Sequence, residues 1–243
     1  MTGCYRRAIR LRADPGRAVA EVEDDFHHFA VTIEHDGTRV TDARGQAIRY
    51  PWSSCPLAAG ALPALAGLPL AAHPTAIYRH TDPLLQCTHM FEMAGLAVAQ
   101  AARGLGARRY DAWVSDPVEG RVAAELRCDG AVVLAWTLRD GLIAKPDEQR
   151  GKAPMALRST LLANEPPEAA EALLIMRRAV SLATARSRDV DAYANAGEMD
   201  HGAACFVFRP GVAEHALRRR GSVRDFSIHP GPLADAAPFG ETP

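Results

Sequence analysis

Cys55 and Cys87 each precede a stretch patterned as a helix, and His89 follows Cys87 by two positions in "QCTHMFEMAGLAVAQAARG". A helix start offers free backbone N–H groups and the positive end of the helix dipole. Both stabilise a thiolate, the form that binds metal or attacks an electrophile. Upstream, "EDDFHHFAV" supplies Asp24, Asp25, His27 and His28 at the entrance to a strand pattern. A site of His27, Cys55, Cys87 and His89, completed by a carboxylate or water, has the mixed ligand character that suits zinc, or iron with open positions. The competing reading is structural. Cysteine is among the most often buried residue types, and no CxxC or HExxH spacing decides between the two.

The elements that must position these residues fall into three groups. From Tyr5 to about Tyr50, apolar and polar residues alternate in short runs, with a hairpin signal at Asp36-Gly37, which predicts a small antiparallel sheet. "CPLAAGALPALAGLPL" then reads as an Ala/Leu-rich helix opening at Pro56. The next helix carries Met90, Ala94, Ala97, Val98 and Ala101 as one stripe.

A second group of strands, "RRYDAWVSD", "RVAAELRCDG" and "AVVLAWTLRDG", turns at Cys128-Asp129-Gly130 and extends the first sheet. Beyond Ala153 the pattern is helical again, with Leu173, Leu174, Met176, Ala179, Val180 and Leu182 on one side. The tail reads as a short apolar run, a short basic helix and about ten disordered residues. No internal repeat is visible. The expected class is α+β: residues 1-105 hold the sheet, two helices and the candidate site, and residues 106-243 the meander and helical half, continuous with the first.

Composition narrows the partners. Across 243 residues the formal net charge is -1, which argues against a general nucleic-acid surface. No apolar run approaches the roughly 20 residues that span a bilayer, and the first residues lack an apolar leader, so a cytoplasmic protein without membrane association is expected. The five cysteines are odd in number and scattered, as expected of reduced thiols. A small anionic molecule is the expected partner, and a homo-oligomer is compatible with the sequence.

The succession "DDFHHFAVTIEHDGTRV", "PWSSCPLAAGALPALAGLPL", "QCTHMFEMAGLAVAQAARG", "LRCDGAVVLAWTL", "EALLIMRRAVSLATAR" and "ACFVFRPGVAEHALRRRGSVRDF" resembles the bacterial family known as domain of unknown function 2889 over nearly the whole chain. Cys87-Thr88-His89 is the most specific piece. The resemblance implies that His27, Cys55, Cys87, Thr88 and His89 stand on the family's motif positions. In architecture the N-terminal half is also similar to the U-type iron-sulfur cluster scaffold proteins, which implies His27, Cys55 and Cys87 as a ligand set, with histidine in place of the first cysteine.

Two classes of function follow. One is a metal-dependent enzyme that hydrolyses, hydrates or cleaves a small carbonyl or acyl compound, a coenzyme A thioester among them, with His89 or Glu92 as the acid/base group. Without metal, Cys87 beside His89 would serve as a nucleophile with its base. The other is a non-catalytic carrier of a metal or an iron-sulfur cluster. For the anionic part of a substrate, "RRGSVRDF" offers Arg220 and Arg224 beside the backbone of Gly221 and Ser222. His80, Asp82 and His201 are weaker candidates for approach to the site, and Cys128 and Cys205 read as structural.

Overall fold

With side chains alternating between the two faces of a strand, β1 (Cys4–Asp14) carries Tyr5, Ile9 and Leu11 on one buried face, and with them a buried arginine, Arg7. The computed structural model describes residues 3–199, 205–228 and 230–234, without the side chains of Ser159 and Thr160. After β1 come β2 (Arg17–Asp24), β3 (His28–His35) and β4 (Val40–Arg49), each antiparallel to its predecessor. The second meander, β5 (Ala107–Ser115), β6 (Arg121–Cys128), β7 (Ala131–Arg139) and β8 (Leu142–Lys145), joins the first through antiparallel pairing of β1 with β5. The result is one eight-stranded sheet ordered β4-β3-β2-β1-β5-β6-β7-β8. The turn at Asp129 and Gly130 has φ of +48° and +84°, the left-handed pair that a two-residue hairpin requires.

Helix α1 (Thr88–Ala102) packs on β1, β2 and β3, and α3 (Pro167–Ala183) on β5, β6 and β7, with the one-turn α2 (Ser159–Leu162) beside it. Each half is thus four strands followed by a helix, a repeat in structure that the sequence does not display. One apolar core runs through both halves, from Leu11, Val22 and Phe29 to Leu126, Trp136 and Met176. The α+β class is as expected, and among the described residues no helix is long and apolar enough to cross a membrane.

Two elements differ from expectation. The Ala/Leu-rich stretch is a 3-10 helix, Cys55–Leu65, because Pro63 cannot donate the α-helical bond and Gly60 weakens the helix further. The basic tail helix does not form: after a single turn at Ala213–His215 the chain extends, and Leu217 and Arg218 bridge to Asn195 and Trp52. The last residues, and His201, lie outside the described residues.

Candidate active site

The turn between β2 and β3 is built on Asp24. Its Oδ1 accepts the backbone N–H groups of Phe26 and His27 at 2.9 Å each and the His27 Nδ1 at 3.0 Å. Its Oδ2 is ion-paired with Arg7. Burial opposes a charge on Asp24, but His27 and Arg7 outweigh it and hold the carboxyl well below its ordinary range. With Nδ1–H donated to a fixed carboxylate, His27 presents a lone pair at Nε2, which makes no hydrogen bond among the described residues. The neighbouring His28 is turned away to Glu21 at 2.7 Å, which identifies His27 as the histidine of the site.

His89, in the first turn of α1, stacks on His27 with ring centroids 3.9 Å apart. Both are only 8 % exposed, and Phe29 stacks on His89 at 5.7 Å. Burial above all, with the positive charge of Arg7 nearby, pushes His89 well below its ordinary pKa, so it is a neutral imidazole. Its buried Nε2 has no hydrogen-bond partner. Such orphaned atoms are uncommon in folded proteins and point to a function or a ligand.

Both histidines border a cavity of about 330 Å³ enclosed by Phe26, Trp52, Leu182, Phe206 and Phe208. Thr88 and Arg178 also border it, so the N-terminal end of α1 opens into the cavity. A second cavity, of about 640 Å³, lies across α3 against β5 and β7, and the two share Met155, Ser181 and Thr184.

Cys55 and Cys87 line the first cavity as anticipated, and Cys205, read as structural, joins them there. Their expected activation is not found. Cys87 is the N-cap of α1, yet burial pushes its thiol up to about 12, and burial likewise raises Cys55 and Cys205. Desolvation outweighs the helix start. Nor do the thiols join the expected ligand set. Among the described residues, the one group of three whose ligand atoms all lie within 4.8 Å of one another is Asp24, His27 and His89.

Glu92 is held in place by arginine instead of facing the cavity as an acid/base group. Arg178 grips it at 3.1 and 3.2 Å through two nitrogens, with Arg7 at 3.9 Å and Arg177 at 4.0 Å. Arg220 and Arg224 lie apart from the cavity. Gly221 N–H donates to the Asp191 carboxylate and Arg220 Nε to the Asp191 backbone carbonyl, so the backbone N–H of the anticipated anion site already meets a carboxylate. Arg224 borders an adjoining crevice with Asp25, Asp189 and Asp225. His80 and Asp82 are exposed, and Asp82 caps a short turn through Leu84 N–H at 2.9 Å.

Asp24 was legible only as one acidic residue of "EDDFHHF". The signal for it was the spacing of Asp24 and His27, which suits a side chain capping its own turn. For a metal, the two imidazoles are the available donors. Asp24 is saturated by four donors and serves as the outer partner that orients His27. Compared with protein-family models and with curated proteins, the chain has no match.

Proposed function

We propose that the protein is an enzyme of small-molecule metabolism that moves protons on a carbonyl or acyl compound held in the first cavity, in hydrolysis, hydration or lyase chemistry. The observation that carries this reading is the Asp24–His27 pair beside a neutral His89 at the cavity wall. His27 Nε2 takes a proton from the substrate carbon or from water, and the imidazolium formed is stabilised by Asp24. The negative charge that develops on the carbonyl oxygen is favoured by the first N–H groups of α1. The proton then returns to the product from the same ring.

The test is deuterium incorporation. Small aryl and alkyl ketones, keto acids and esters are incubated with the protein in deuterated water, and exchange or turnover is followed by NMR. Catalysis by the wild type that His27→Gln abolishes supports the reading. Its absence across the panel, or its survival in the variant, refutes it.

One observation favours a metal-dependent form of the same activity: a ring nitrogen of His89, whose Nε2 is unpaired, lies within 4.8 Å of ligand atoms of His27 and Asp24. A zinc or iron ion held by the two imidazoles would polarise a carbonyl or activate water. Elemental analysis of protein purified without chelator separates the forms. About one metal per chain, lost in His89→Ala, selects the metal-dependent one.

A further inference from the structure

The buried ion pairs behind Arg178, at the wall of the first cavity, hold more positive than negative charge. Among the described residues, Arg7, Arg177 and Arg178 face two carboxylates, those of Asp24 and Glu92. Arg7 Nε and Nη2 and Arg177 Nε are buried without a hydrogen-bond partner. A buried guanidinium lacking a full counter-charge is strongly unfavourable, so the arrangement calls for an anion from outside the chain.

Only one of the three arginines borders the cavity, and it is Arg178. Beside it, Cys87 places no side-chain hydrogen bond on the start of α1, and the unpaired Nε2 of His89 lies at the same wall. Away from this end the wall is apolar and aromatic: Phe26, Phe29, Trp52, Phe206 and Phe208, with Trp52 and Phe208 set edge to face at 6.2 Å. Such surfaces suit a planar ring.

We propose that the cavity takes an aromatic carboxylate, with its carboxylate against Arg178 and the start of α1 and its ring among the aromatic side chains. This rests on the reading of the cavity as the active site. A volume of about 330 Å³ is at the lower end of small-ligand sites, which run from roughly 300 to 1,000 Å³, so a free acid is enclosed whole. A coenzyme A thioester would leave its nucleotide outside.

Calorimetric titration of the full chain with 2-naphthoate, its neutral isostere 2-naphthamide, and octanoate tests the proposal. The naphthoate is expected to bind one per chain, with the amide and the aliphatic acid each about tenfold weaker or more. Equal binding of acid and amide, tighter binding of octanoate, or no binding of naphthoate overturns it.

Arg178→Gln adds a second test. Arg7 and Arg177 remain near Asp24 and Glu92, so the variant is expected to fold, at a lower melting temperature because Glu92 loses its closest partner, and to lose naphthoate at a temperature where it is folded. Retained naphthoate affinity overturns the proposal. If that variant does not fold, the acid and amide comparison in the wild type decides alone. His27→Gln is expected to keep naphthoate binding, so a failed deuterium exchange with intact binding removes the proton-transfer reading and leaves this one standing.

Discussion

His27 and His89 lie ring on ring, 3.9 Å between centroids and 29° from parallel, yet they are held by different partners. One is fixed through Nδ1 by a buried carboxylate, and the other is held neutral by burial with a nitrogen unpaired. An imidazole oriented by a carboxylate beside a second, neutral imidazole is an arrangement suited to acid/base chemistry.

The pair, and not the thiols, is therefore expected to carry turnover. His27→Gln should lower kcat by about 10²- to 10⁴-fold on any compound found by deuterium exchange. Cys87→Ala, which removes a protonated thiol outside the Asp24, His27 and His89 group, should change kcat by less than about tenfold. Steady-state kinetics of both variants checks the ranking.

Asp24 links the site to stability. Its folded-state pKa is depressed, so the unfolded chain binds more protons in acid, and the contribution is complete above the ordinary value of 3.8 and lost as pH falls through the lowered one. Asp24→Asn leaves Arg7 without its buried partner and should cost about 3–5 kcal/mol at pH 7. Its stability should also be flatter than that of wild type in the acid range. Urea unfolding from pH 2 to 7 reads both effects.

Asp25 has the opposite sign. Burial raises it to about 6 despite the hydrogen bond from Arg186 at 2.5 Å, and its Oδ1 has no partner. The folded protein binds this proton more tightly than the unfolded chain, so stability should fall as pH rises from the ordinary 3.8 to about 6. Asp25→Asn should remove that fall, while Arg186 keeps Asp116 at 2.9 Å and Asp225 at 3.2 Å. Melting temperatures between pH 4 and 8 test it.

Glu171 provides the contrast to the site. It occupies the fifth position of α3, as Glu92 does of α1, and it is fully buried. Arg103, Arg108 at 2.6 Å and the Tyr110 hydroxyl at 3.0 Å bond to its two oxygens. This cluster fastens α3 to β5, and Glu171→Ala should destabilise the fold by about 3–5 kcal/mol. The affinity of that variant for 2-naphthoate should be unchanged by calorimetry at a temperature where it is folded.

The strands, their two marked hairpins and α1 were readable because each rests on a local pattern: a period of two, an Asp-Gly turn, a stripe of Met90, Ala94 and Ala97. His27 and His89 were readable by residue type, and the structure brings them together. The thiols misled because spacing reports a helix start but not its depth, and depth sets the pKa of Cys87. Glu92 misled for a related reason. Its partners Arg7 and Arg178 come from β1 and α3, and nothing local to Glu92 announces an arginine so distant in the chain. The repeated four-strand and helix plan was hidden because burial constrains which positions are apolar while leaving the residues themselves free to differ.

Met155, Ser181 and Thr184 face both cavities, so the partition between the two chambers is a few side chains thick. A boundary of backbone would be fixed, whereas one of side chains can be changed by single substitutions. If the first cavity is where a ligand sits, Met155 is the side chain whose trimming would join the two spaces most directly, far from His27 and His89.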